Sequence, residues 1–387
     1  MHMSFLQDFM LYNSGNECPR PYVLWTGYGI LSAAMGRRVF LDLDWIWITT
    51  DVYILIIGDS GSKKTAAMDI GVNLLRKVIP DVVFAGDNET YQGVITYMHS
   101  DNSTRFYKGP AGEAVPYKPY CIFAAELMDY LQLNPAGMVT FLTSIYGRKA
   151  YEYRLKNESH LLENPYVMMC ACSTPTWLTD QIKAKQFSEG YGRRTIIACG
   201  AKTIRKRPVL TQEHINAGLR CEARLKQILS ISGRMTMTPD AEKWFWDWHV
   251  NLKDPDDYFI KNWYSTLGIN LLKIAILSSV SERDDRIVTL DHMHLSLGLL
   301  KEVEKNLPMV TERLGRSELI EPALQIKAIL RNHGGRYPEK QLKMDTLKNF
   351  KSTMEQWQVI EWLKQTEQIA AVPDGNKVIL VLTEKAK

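Results

Sequence analysis

Between Tyr53 and about Lys202, short apolar runs alternate with stretches of helical pattern, and no other feature limits the possible folds so sharply. The runs are "YILIIG", "DVVFAG", "YCIFAAE", "YVMMCACS" and "RTIIACG", with helical pattern at Thr65 to Ile79, at about Thr90 to Met98, and through Leu142. Runs that are apolar without alternation belong to strands covered on both faces, and helices of this length between them serve as the crossovers of a parallel sheet. The expected fold class is therefore α/β, with a parallel central sheet.

The first run leads directly into "GDSGSKKT", Gly58 to Thr65, and then into a helix. A strand, a glycine-rich turn and a helix start in that order gather backbone N–H groups at the positive end of a helix, which suits phosphate. The pattern G-x-x-x-x-G-K-[ST] fits with one departure, because Lys63 stands where the second glycine is expected. The use of that glycine is conformational, so the departure strains the turn without removing a chemical group. The expected nucleotide-binding residues are Gly58, Gly61, Ser62, Lys63, Lys64 and Thr65. Lys64 would reach the outer phosphates of ATP and Thr65 would bind Mg2+.

Further candidates follow in chain order. "CIFAAEL" leads to Glu126, placed to polarise water and to help hold Mg2+, with Ala125 where an acidic pair would have aspartate. The plainer alternative is a glutamate favouring a helix N-terminus. "YVMMCACS" ends in Ser173 and Thr174, either sensors of the terminal phosphate or an ordinary polar turn before Pro175. Between these strands, "GRKAYEYRLKNESHLLENP" alternates as a hairpin whose tip region carries Arg154, Lys156 and Asn157. Such a tip either meets the phosphates of a nucleic-acid strand or faces water. Arg193 and Arg194 stand at the start of "RTIIACG"; neighbours on a strand point to opposite faces, so only one can act as an arginine finger, and Arg194 is favoured.

Outside this core the pattern is mainly helical. Residues 1–45 read as a helix, an "NECPRP" break and a small-residue helix; 46–208 hold the α/β core; 209–317 read as a helical lid. Residues 318–387 read as helices closed by a hairpin at Asp374-Gly375, the winged-helix arrangement, which serves DNA in some proteins and protein contacts in others. The net charge of +4 is too small to indicate a nucleic-acid partner by itself, but Arg193, Arg194, Lys202, Arg205, Lys206 and Arg207 form a block with no acid among them. None of the six cysteines has C-x-x-C spacing, so they read as buried thiols. With no apolar run of roughly 18 to 20 residues, no membrane partner is expected and a cytoplasmic location follows by default.

In order and spacing, "CPRPYVLWTGYGILSAAMGRRVF", "GDSGSKKT", "FAAEL", "NPYVMMCACSTPTWL" and "EGYGRRTI" resemble the helicase-like AAA+ P-loop ATPases of phages and mobile genetic elements, related to the superfamily 3 replicative DNA helicases. The matching stretches cover about half of the chain, from Cys18 to Ile197. The resemblance implies an ATP- and Mg2+-dependent hexameric ring that moves on single-stranded or forked DNA in a bacterial host, alongside a primase or polymerase. Carried over, Lys64 and Thr65 are the nucleotide and magnesium residues, Glu126 the catalytic glutamate, Ser173 or Thr174 the sensor, and Arg194 the arginine acting on the next subunit. A second sensor would come from the lid, at Lys261 or Lys273. The alternative is an assembly or loading factor that binds nucleotide and DNA but hydrolyses little.

Overall fold

Ser4 starts the first helix, α1 (Phe5–Tyr12): its hydroxyl accepts from Gln7 N while the Gln7 side chain returns to the Ser4 N–H. The computed structural model describes residues 4–109, 111–154, 159–175, 190–200, 205–347, 350, 352–375 and 377–383, leaving aside the side chains at 258, 309–321 and 355. The chain divides into two units, Met1–Val310 and Thr311–Lys387.

In the first unit, α2 (Arg20–Met35) is buried almost all round. Its small residues make that possible: a Cβ on Gly27 would lie 3.1 Å from Leu6, and one on Gly29 would lie 3.1 Å from Cys170. Gly36, at φ +56°, ends the helix. The following Val39–Asp42 is a strand, β1, and not the helix tail expected from the sequence; it pairs antiparallel with β2 (Trp47–Thr49).

The central sheet comes next. Its elements are β3 (Tyr53–Ile57), α3 (Lys64–Val78), α4 (Tyr91–His99), β4 (Arg105–Lys108), β5 (Ala114–Ala124), α5 (Leu127–Leu131), α6 (Pro135–Ile145), β6 (Ala150–Arg154), β7 (Ser159–Glu163), β8 (Pro165–Ser173) and β9 (Thr195–Cys199). The strand order is β4-β5-β8-β3-β9, with β5, β8, β3 and β9 parallel and β4 antiparallel at the edge. Every residue of β3, β8 and β9 is buried, which is why these runs are apolar without alternation. "DVVFAG" makes a single parallel bridge, Phe84 to Cys121, in place of a full strand. Among the described residues, strands β6 and β7 pair only with each other, as the hairpin expected from the sequence.

The stretch expected to be a helical lid also carries strands. Its elements are α7 (Gln212–Ile228), β10 (Gly233–Met237), α8 (Pro239–Val250), α9 (Tyr258–Glu282), β11 (Ile287–Val288) and α10 (Leu290–Asn332). β10 lies parallel to β1 and to β11, giving a second sheet in the order β11-β10-β1-β2. Among the described residues one helix, Phe259–Glu282, is long and apolar enough to cross a membrane, and it is 83% buried inside the protein.

The second unit contains the end of α10, then β12 (Arg336–Pro338), α11 (Glu339–Thr346), α12 (Thr353–Gln365), β13 (Ile369–Asp374) and β14 (Lys377–Leu382). The sheet order is β12-β14-β13. Ile326, Leu330, Leu342, Ile360, Leu363 and Leu380 form its core.

Candidate functional site

The carboxyl ends of β3, β5, β8 and β9 lie along one edge, since Ile57 is level with both Ser173 and Cys199, and Ala124 with Ala171. The chain leaves β3 toward β5 on one side, while β9 lies on the other, so the edge of β3 is the switch point at which open α/β sheets bind ligands.

Gly58 follows β3. A Cβ there would lie 2.0 Å from the Tyr22 hydroxyl, and one on Gly200, after β9, would lie 2.3 Å from the Tyr22 ring. Tyr22 itself donates to the Ile57 carbonyl at 3.1 Å, so this tyrosine of α2 is the floor of the loop. Gly61 has φ +77° and open space around it. Lys63 has φ +67° and ψ 23°, the left-handed conformation that the missing glycine would supply without strain. An ordinary residue held there costs roughly 1 to 2 kcal/mol. The Lys63 amine lies 3.3 Å from the Glu17 carboxylate.

Lys64 is the first residue of α3, and its buried side chain folds back so that the amine donates to the carbonyls of Gly58 at 2.8 Å and Asp59 at 3.0 Å. No side chain caps α3 and no acid stands in its first turn, whereas Arg76 and Lys77 occupy its last turn. Its first N–H groups therefore remain for an anion.

Two neighbouring strand ends complete the edge. The Thr65 hydroxyl donates to the Ala125 carbonyl at 3.4 Å, bringing the loop against the residue before Glu126. Glu126 is the N-cap residue of α5, yet its side chain makes no capping hydrogen bond. Its carboxyl is half-exposed and borders a cavity of about 290 Å³, together with Asp69, Asp129 and Arg76. Burial raises the Asp69 carboxyl above its ordinary range. On the other side, Gly58 N donates to the Ser173 carbonyl at 3.3 Å, and the buried Ser173 hydroxyl donates to the Thr174 carbonyl at 3.3 Å. No cluster of three or more histidine, cysteine or acidic side chains fit for a metal occurs among the described residues. The Thr65 hydroxyl and the Glu126 carboxyl are oxygen groups of the kind that take magnesium beside substrate phosphates.

The loop faces a cavity of about 830 Å³, walled by Asp59 to Lys63 on one side and by Glu17 with Arg205 to Arg207 on the other. Glu17 accepts from Lys206 N at 3.0 Å, and its carboxyl is held below the ordinary range first by that N–H and then by Lys63. The Lys206 amine donates to the Ser14 carbonyl at 2.6 Å. The basic block is thus split by β9, a strand about 17 Å long. Arg205 to Arg207 line the loop cavity, the arginine pair precedes the amino end of β9, and Lys202 lies outside the described residues. Glu17 was not foreseen, because only a tertiary contact gives it a role.

At the amino end, Arg193 and Arg194 sit in a 3-10 turn, Gly192–Arg194, ahead of β9, so the alternation of strand faces does not separate them. Arg194 donates to the Gly190 carbonyl at 2.9 Å and lies 5.9 Å from the Tyr146 ring; burial, then Arg193, lowers its pKa. Arg193 reaches the Ser265 hydroxyl at 3.5 Å. On the hairpin, Arg154 is exposed and paired with Glu152 at 2.7 Å, while Lys156 and Asn157 lie outside the described residues. Neither lysine suggested as a second sensor is a free cation. Lys261 pairs with Asp254 at 3.2 Å, and Lys273, 2% exposed, pairs at 3.0 Å with Asp51 at the root of β3, the end away from the loop. Burial acts to lower the Lys273 amine, but Asp51 and then Tyr146 more than offset it and hold it above its ordinary value.

The sequence matches no protein-family model and no curated protein.

Proposed function

We propose that this chain is an ATP-dependent DNA helicase or translocase of the helicase-like AAA+ class, acting as a hexameric ring on single-stranded DNA. One observation carries the reading. Three motifs that are far apart in sequence meet at the carboxyl edge of the sheet, with Gly58 N on the Ser173 carbonyl and Thr65 Oγ1 on the Ala125 carbonyl beside Glu126. The strand order, with β3 between β8 and β9, supports an AAA+ core. The order of helices, hairpin and short strand in the second unit supports a winged helix.

On this reading the Lys64 amine exchanges the Gly58 and Asp59 carbonyls for the outer phosphates of ATP, and the free N–H groups of α3 hold the rest of the chain of phosphates. Thr65 and Glu126 would hold Mg2+, which supplies charge neutralisation at those phosphates. Glu126 orients the attacking water, and Ser173 or Thr174 contacts the terminal phosphate. The arginine turn lies at the end of β9 away from its own loop, so Arg194, or Arg193 beside it, serves the nucleotide of the next subunit in a ring. The β6–β7 hairpin, with Arg154, Lys156 and Asn157 near its tip, contacts the DNA phosphates.

Steady-state hydrolysis of ATP, with and without single-stranded DNA, tests the reading. DNA should stimulate turnover, and Lys64→Ala should abolish it. Tight ATP binding without turnover under either condition would favour the second reading, a nucleotide-dependent DNA assembly factor. Ala125 in place of an acid is the observation that favours that alternative.

A further inference from the structure

One face of α9 makes three polar contacts on successive turns at the amino end of the sheet. The Thr266 hydroxyl donates to the Arg193 carbonyl, the Tyr146 hydroxyl donates to Asn270 Oδ1 at 3.4 Å, and Lys273 Nζ meets Asp51 Oδ1 at 3.0 Å. Spacings of four and three residues put Thr266, Asn270 and Lys273 on one helical stripe. Each contact reaches a different element: the arginine turn, the end of α6, and the root of β3.

These elements are also tied to one another. Asp51 Oδ2 accepts from Gly147 N at 3.2 Å, and Gly147, at φ +68°, is the turn that leads into the β6–β7 hairpin. Two cations lie over the Tyr146 ring, with Lys273 Nζ 3.9 Å and Arg194 Cζ 5.9 Å from its centroid. It makes a T-shaped contact with Tyr53, the first residue of β3, at 4.8 Å between centroids. A well-packed apolar pair could replace a buried ion pair at no loss of stability, so stability alone does not account for Lys273 and Asp51. An aromatic face attracts a cation and helps to fix where it lies.

We propose that Tyr146, backed by the Lys273–Asp51 pair, is a positioning residue for Arg194: its ring holds the guanidinium in the pose required at the neighbouring subunit and ties that pose to the hairpin root. The inference rests on the reading of Arg194 as the arginine that acts on the next subunit. Phenylalanine at position 146 keeps the ring and loses the hydroxyl, with its long hydrogen bond to Asn270 and its polar contact with Lys273. Leucine or methionine keeps the apolar bulk and loses the face.

The test compares Tyr146→Phe, Tyr146→Leu, Tyr146→Met, Arg194→Ala and the double variant Tyr146→Leu/Arg194→Ala in DNA-stimulated ATPase assays, with ATP affinity and thermal melting measured on each. Tyr146→Phe should keep kcat within about twofold, whereas Tyr146→Leu should lose about tenfold in kcat with KM and ATP affinity unchanged. Arg194→Ala should mask the leucine effect, since residues acting through one group are not additive. Tyr146→Met provides the same reading if the leucine variant fails to fold. A kcat for Tyr146→Leu and Tyr146→Met equal to that of the wild type, or a full further loss on top of Arg194→Ala, overturns the positioning role while leaving the ATPase reading intact. Absence of turnover in the wild type overturns that reading, and this inference with it.

Discussion

The two ends of the central sheet are built on opposite principles. At the carboxyl end the chemical groups are held loosely: Lys64 rests on its own loop's carbonyls, Thr65 makes a 3.4 Å contact, and Glu126 makes no capping bond. At the amino end Lys273, Asp51 and Tyr146 are locked together, with the ion pair almost wholly out of water. The difference separates two uses of a charged side chain. A group meant to meet a ligand keeps exchangeable partners, while a group meant to fix geometry is given permanent ones.

The largest expected effect tests the locked end. Lys273→Met leaves Asp51 buried without its partner and should cost about 3 to 5 kcal/mol in a denaturant titration, most of which Asp51→Asn/Lys273→Met should recover. Equal losses in both variants would mean that the charges are not what matters there. Lys64→Ala should show the reverse behaviour at the other end, with turnover down by at least about 100-fold and stability changed by less than about 2 kcal/mol, because its bonds are to carbonyls that water can satisfy.

A pH series sharpens the comparison beneath the loop. Burial pushes the thiols of Cys121, Cys172 and Cys199 up to about 12 from an ordinary 9.0. Between those values the folded chain keeps protons that the unfolded chain has lost, so stability should be complete below pH 9 and fall as pH rises toward 12. The slope is at most about 1.4 kcal/mol per pH unit for each thiol. Denaturation midpoints at pH 8 and pH 10 should differ less in Cys172→Ala than in the wild type. The smallest effect concerns Lys63. Lys63→Gly relieves the left-handed strain and gives up only an exposed ion pair with Glu17, so stability should change little, with ATP affinity retained. A tenfold loss of affinity would assign the Lys63 amine to phosphate.

What could be read from the sequence follows from how local each signal is. The loop, the flanking strands and the hairpin arms were legible because strand, turn and helix patterns sit within a few residues of one another. The pairing of β1 with β10 was not, since two short strands nearly two hundred residues apart carry no mutual mark. The arginine turn was read as strand because Gly190 and Gly192 do not reveal where a 3-10 turn stops. Lys273 did carry a signal. A lysine inside the apolar stripe of "INLLKIAILSSV" has to find a carboxylate or lose its charge, which points to a buried pair and away from a sensor.

Tyr22 reaches under both Gly58 and Gly200, so three positions far apart in sequence share a single volume. No side chain can grow at either glycine unless the tyrosine moves or shrinks, so a change at Gly58 or Gly200 calls for one at Tyr22. The same arrangement limits how the chain can be cut. Tyr22 belongs to the amino-terminal helices, so a fragment that begins at residue 46 would keep every expected catalytic side chain and lose the floor on which the loop stands.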